Sequence, residues 1–181
     1  LQLDQACREG RTGRREKDKS MKVIAWTDGS CEQVNPGGVI GYGWHMDWLG
    51  EDVEEFAIAY SGGDFATNNM AEFIAVQAVL MECMIRSGKV EPGQLIIRSD
   101  SQLVVNTFNG LWSSSKAHLK PIVAITNMLK EKLVQAGWDI TAEQIARVHN
   151  GRADRLSRRA MNEIEKSHMA LTEYLGEEFY E

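Results

Sequence analysis

The rhythm of this chain changes near residue 66, and that change limits its fold more than any other feature. Between residues 22 and 61, three strand-like runs follow one another across short links: Lys22 to Thr27 (KVIAWT), about Val39 to Met46, and about Val53 to Ser61 with its FAIAY stretch. Adjacent short strands with tight links read as an antiparallel meander. Beyond residue 66 helical patterns interleave with strands. Asn68 to Arg86 reads as a long helix with Thr67 or Asn68 as its N-cap, closed by Gly88 and Pro92-Gly93. Gln94 to Ser99 reads as a strand, Ser101 to Phe108 as a short helix, and Ala117 to Gln135 as a helix ended by Gly137. Trp138 to Val148 is the last expected strand and Arg152 to Ser167 the final helix. Three strands, then helix, strand, helices, strand and helix give a mixed sheet flanked by helices, one α/β domain.

The 181 residues suit one such domain. Residues 1–20 are polar, with mixed charges and almost no apolar periodicity, and read as a disordered or non-native extension. Met21 reads as a natural start, which puts the folded domain at 21–168. Residues 169–181 form an acidic tail that either docks through Tyr174, Leu175, Phe179 and Tyr180 or hangs free. No apolar run approaches membrane-spanning length, so no membrane partner is expected. Cys7, Cys31 and Cys83 make no C-x-x-C pair. A disulfide framework is not expected, which fits the cytoplasm.

Four acidic residues sit in distinctive local sequences: Asp28 in TDGS, Glu72 in TNNMAE, Asp100 in RSDSQ and Asp154 in HNGRADRLS. Each has an ordinary reading. Asp28 suits a D-G turn after an apolar strand, Asp100 suits a helix cap, and Glu72 and Asp154 suit first helical turns. Glu72 fits its ordinary reading least well. Its helix carries Met70, Phe73, Ile74, Val76, Val79, Leu80, Met81, Met84 and Ile85 on nearly every side, so it is expected to be largely buried. A buried carboxylate without a partner is costly. Carboxylates gathered without counter-charge resist ionising, and such a site asks for hard divalent cations with oxygen ligands. A paired-metal site can drive in-line displacement at a phosphodiester. The residues therefore read as a metal-dependent phosphodiesterase.

The net charge of −6 looks wrong for an enzyme acting on nucleic acid. Residues 1–20 hold six basic and four acidic residues, which leaves 14 basic and 22 acidic residues elsewhere. Four of those acids are the expected metal ligands, and Glu173, Glu177, Glu178 and Glu181 lie in the tail. The body is thus balanced, and local clusters of Arg and Lys decide where phosphates can bind. Arg152, Arg155 and Arg159 share one helical face, and either contact phosphates near Asp154 or form a solvated face.

TDGSC with NPGG, then TNNMAE, SDSQLV and NGRADRLS, in that order over most of residues 22–166, resemble type 1 ribonuclease H. The resemblance implies an RNase H-like fold, a five-stranded mixed sheet with three antiparallel strands and then two parallel ones. It implies hydrolysis of the RNA strand of RNA–DNA hybrids with two Mg2+ ions (Mn2+ as a possible substitute), leaving 5′-phosphate and 3′-hydroxyl ends. On that basis Asp28 bridges both metals, Glu72 and Asp100 hold the leaving-group metal, and Asp154 holds the one that activates water. Asn35, Asn68, Asn69 and Gln102 match residues that meet the minor groove and the RNA 2′-hydroxyls, Thr67 one that seats a DNA phosphate, and Trp112 the tryptophan of a DNA channel. The partner implied is the hybrid duplex, bound by a monomer.

Two features depart from that pattern. His149 lies five residues before Asp154 rather than in a loop well ahead of it. It either assists proton transfer or product release, or is a strand-end residue without chemistry. The segment LWSSSKAHLK carries no extended basic run, so weaker or more salt-sensitive substrate grip is expected. The alternative functions are a nucleic-acid-binding protein or a DNA-cutting nuclease on the same fold.

Overall fold

A computed structural model describes residues 21–163 apart from residues 33, 62–65, 114–115 and 161. The expected extension at 1–20 and tail at 169–181 lie outside the described residues. The described chain forms β1 (Lys22–Glu32), β2 (Val39–Trp48), β3 (Glu51–Ser61), α1 (Asn68–Ser87), β4 (Gln94–Ser99), α2 (Gln102–Phe108), α3 (Lys120–Gln135) and β5 (Asp139–Gln144). A further helix, α4, covers residues 151–160. Short 3-10 turns at Ala117–Leu119 and Arg147–His149 lead into α3 and towards α4.

The strands make one sheet in the order β3-β2-β1-β4-β5. β1 pairs antiparallel with β2, and β2 with β3, whereas β1 with β4 and β4 with β5 run parallel. Links too short for a crossover produce the first kind of pairing, and helices α1 to α3 supply the crossovers for the second. The expected five-stranded mixed sheet is therefore observed. No helix among the described residues is long and apolar enough to cross a membrane.

One face of the sheet buries Val23, Ala25, Trp44, Met46, Leu95 and Ile97 with Phe73, Val76, Val79 and Leu80 of α1 and Leu133 of α3. Alternation along each strand puts these residues on one side and leaves the next residues for the other. Buried Gln77 joins α1 to α3, its Nε2 donating to the Ile122 carbonyl at 2.9 Å and to Thr126 Oγ1 at 3.0 Å. On the opposite face, Trp26 stacks on His45 across the β1–β2 pair with ring centroids 4.6 Å apart. Burial and the Arg152 guanidinium push His45 down to about 4.

Three expectations about elements need correction. β1 runs on to Glu32 rather than ending at Thr27, so Asp28-Gly29 lies within the strand. β5 ends at Gln144 rather than Val148, because the chain turns at Arg147–His149 to bring Asn150 and α4 back to the sheet. α1 is not buried all round: Met81, Met84 and Ile85, near its C-terminus, are exposed, while its N-terminal part packs on β1.

Candidate active site

The parallel pair β1–β4 last registers at Trp26 with Arg98. Just beyond that point, the two chains carry Asp28 and Asp100 at neighbouring positions. Two glycines decide what can approach them. A Cβ on Gly29 would lie 2.2 Å from the Glu72 backbone nitrogen, so only glycine lets the first turn of α1 close onto β1. A Cβ on Gly43, the cross-strand partner of Asp28, would lie 2.4 Å from the Ser157 nitrogen. Its absence lets α4 lie against β2. Four elements thereby deliver Asp28, Glu72, Asp100 and Asp154 to one end of the parallel pair.

Each carboxylate has a donor of its own. Ser157 Oγ donates to Asp28 Oδ2 at 2.7 Å, and Ser101 Oγ donates to Glu72 Oε2 at 2.5 Å. Asn150 Nδ2 donates to Asp100 Oδ1 at 2.8 Å. Arg147 and Arg158 both donate through Nη2 to Asp154 Oδ1, at 3.3 and 3.1 Å. Burial pushes Asp28 up to about 6 against the pull of Ser157, with the charges of Asp100 and Asp154 adding to the rise. Burial likewise pushes Glu72 up to about 7, aided by Asp28 and Asp100. The carboxylates therefore act on one another electrostatically. No group of three or more His, Cys, Asp or Glu among the described residues stands ready to hold a metal ion.

The donor chemistry fits a divalent cation. The ligands available are hard carboxylate oxygens, the chemistry that magnesium takes. Two of the carboxyl groups resist ionising where they stand, and a bound cation would reverse that resistance. The hydrogen bonds from Ser101, Ser157 and Asn150 would then act as outer-shell supports of the kind that aim metal ligands.

The other expected site residues lie on the same elements or on the links between them. Thr67 is the N-cap of α1, its hydroxyl accepting from the Met70 nitrogen at 3.2 Å. Asn68 and Asn69 open the helix, Asn68 exposed and Asn69 partly buried. Asn35 is exposed in the β1–β2 link, which is tied to the entry of α1 by Gly37 N donating to the Ala66 carbonyl at 2.9 Å. Gln102 is exposed at the start of α2, one residue after Ser101. Trp112 lies farther off, half-exposed in a groove between α2 and α3 that is also lined by Phe108, Lys120, Asn127 and Lys130. Lys130 is fixed there, donating to the Phe108 carbonyl at 2.8 Å. His149 is exposed at the end of its 3-10 turn.

Sequence reasoning left Arg152, Arg155 and Arg159 either to contact phosphates near Asp154 or to form a solvated face, and Arg155 is exposed. Arg152 is engaged by Glu54 and Asp52 of β3, and Arg159 pairs with Glu163 and sits over the Phe56 ring. Arg147 and Arg158 are the ones that reach Asp154. Ser101, Asn150 and Ser157 were also missed as site residues. The signal available for Ser157 and Arg158 was their spacing from Asp154, three and four residues on along the same helix.

Fold and carboxylate-lined edge together define an RNase H-like protein. A family model described as RNase H matches residues 20–162, most of the sequence, and the chain belongs to that family. It is 33% identical over 97 residues to a Ribonuclease H of Lachnoclostridium phytofermentans, an alignment spanning 51% of this chain and about half (54%) of that relative. It is 29% identical over 154 residues to a Ribonuclease H of Tropheryma whipplei, covering 78% of this chain and 85% of that one. Among solved structures, LC11-RNase H1 in complex with an RNA/DNA hybrid superposes with a TM-score of 0.68 at 26% identity, covering 78% of this chain and 98% of that one. The N-terminal RNase H domain of a Mycobacterium tuberculosis protein gives 0.67 at 25% identity, covering 82% and 99%.

Proposed function

We propose that this chain is an endoribonuclease that hydrolyses the RNA strand of RNA–DNA hybrids with the help of two divalent metal ions, Mg2+ or Mn2+, leaving 5′-phosphate and 3′-hydroxyl ends. The observation that supports the reading is that carboxylates from β1, α1, β4–α2 and α4 lie close enough for Asp28 to feel the charges of Asp100 and Asp154, and for Glu72 to feel those of Asp28 and Asp100. The hybrid in complex with a structural relative at 26% identity supports the substrate class. When bound, the metals would lower the pKa of an attacking water and stabilise the departing 3′-oxygen. Asp28, Glu72, Asp100 and Asp154 would hold them.

The protein's other residues position the substrate. Asn35, Asn68, Asn69 and Gln102 offer amides that both donate and accept, which suits the minor groove and the 2′-hydroxyls that distinguish RNA from DNA. Thr67 would seat a phosphate of the DNA strand at the N-terminus of α1, where backbone N–H groups point outward. Trp112 and the groove beneath it offer a stacking surface beside Lys120 and Lys130 for the DNA strand. Exposed His149 is free to approach a phosphate or a departing product. Cys31 and Cys83 are free thiols, in keeping with a reducing cytoplasm, and the enzyme would act as a monomer.

The test is cleavage of matched RNA–DNA, RNA–RNA and DNA–DNA duplexes in Mg2+, with and without excess chelator. Cutting confined to the RNA strand of the hybrid, stopped by chelator and restored by Mg2+ or Mn2+, is the expected outcome. Equal cutting of DNA–DNA duplex, or undiminished activity in chelator, overturns the proposal.

A further inference from the structure

Asn150 is 1% exposed, and its side chain ties its own segment to β1 and to Asp100. Its Nδ2 donates to the Thr27 carbonyl at 3.0 Å and to Asp100 Oδ1 at 2.8 Å. Its backbone carbonyl accepts from the Asp154 nitrogen at 3.1 Å, at the start of α4. The β1–β4 ladder last registers at Trp26 with Arg98. One residue later on β1 and two later on β4, Asn150 bridges the gap that the ladder leaves.

The residue type follows from the partners. Both are acceptors, one carbonyl and one carboxylate, and only a group with two hydrogens on one nitrogen answers both. An aspartate would place a like charge against Asp100, and a leucine would donate nothing. The position also argues against a local role. Asn150 precedes α4, where an asparagine side chain ordinarily accepts from the helix's first free N–H groups. Here Oδ1 is buried and has no hydrogen-bond partner among the described residues. The side chain has turned from capping its own helix towards β1 and Asp100.

We infer that Asn150 is a positioning residue that sets Asp100 against Asp28 and couples both to the helix bearing Asp154, so that the carboxylates are held near one another before metal arrives. The inference rests on the metal-dependent reading above. Its effect belongs in metal affinity, not in the grip on the hybrid, because Asn150 is buried behind the carboxylates.

The experiment compares full-length wild type with Asn150→Ala and the similarly sized Asn150→Leu. Magnesium is titrated calorimetrically into each metal-free protein, the Mg2+ dependence of hybrid cleavage is measured, and circular dichroism reports folding. Both variants are expected to keep the wild-type spectrum. Their magnesium affinity should be weaker, and their half-saturating Mg2+ higher, by about 10–100-fold. The KM for hybrid at saturating Mg2+ should change little. A folded variant with wild-type magnesium affinity and dependence overturns the inference, even if its melting temperature falls. If Ala does not fold, Leu, which leaves no cavity, decides. Wild type that binds no magnesium and cleaves no hybrid would instead overturn the metal-dependent reading itself.

Discussion

At the scale of single residues, hydrogen counts as much as charge. Gly29 has no Cβ, and the space that one would fill is taken by the backbone of Glu72 and Ala71. Gly29→Ala must push α1 off β1, at a cost of at least about 2 kcal/mol. Activity should fall further than stability, because the displaced residue is Glu72. Denaturant melts read beside initial rates check this. Asp100→Asn changes no volume and keeps an acceptor for Asn150, so the fold should survive. Hybrid cleavage should drop by about 100-fold or more if, as proposed, Asp100 holds a metal, since losing a ligand exceeds the usual cost of an outer-shell change. Near-normal turnover in that variant would contradict the assignment of Asp100.

Elements add direction. α1 points its N-terminus at the carboxylate edge, capped by Thr67 and carrying Asn68, Asn69 and Glu72 in its first turns. Thr67→Ala removes an acceptor for the Met70 nitrogen and should cost about 1 kcal/mol of stability, read from urea melts. If Thr67 also seats a phosphate, the KM for hybrid should rise while kcat holds. α4 supplies Asp154, Ser157 and Arg158 from consecutive turns, which is why one helix can feed both Asp28 and its neighbour. The sequence marked this helix but did not show that Arg147 and Arg158 are the arginines that reach Asp154. Helical spacing shows which residues share a face, yet it does not show that Asp52 and Glu54 of β3 lie opposite Arg152.

For the molecule as a whole, the site makes stability depend on pH. Asp28 and Glu72 titrate near 6 and 7 when folded, against about 4 when unfolded. Between those values the folded chain holds protons that the unfolded chain has lost, so stability in chelator falls as pH rises through the window. His45 works the other way. Its folded pKa of about 4 lies below the unfolded value near 6.5, so its contribution rises with pH in that interval. The variant Glu72→Gln isolates one term. In chelator it should gain stability relative to wild type on going from pH 5 to pH 8, by on the order of 1–3 kcal/mol. Magnesium should narrow that gap at pH 8 by stabilising wild type. Denaturant midpoints at the two pH values decide it, and a gap independent of pH would show that Glu72 is not burdened by its charge.

The order of elements and the mixed sheet were legible in the sequence, and the four acids it singled out stand on separate segments of the fold. Links of a few residues dictate antiparallel neighbours, helical spans dictate crossovers, and each acid lies in a motif of its own. Glu72 even stood out as a carboxylate on a largely apolar helix. Tertiary structure decided the rest. Asn150 meets Thr27 across 123 positions and Ser157 meets Asp28 across 129. Such donors carry no local pattern, because their partners are chosen by how strands and helices pack. For the same reason, the sequence ended the first strand at Thr27, where the structure carries it through Asp28-Gly29 to Glu32. The glycine answers to a helix more than forty residues away, not to its neighbours in the chain.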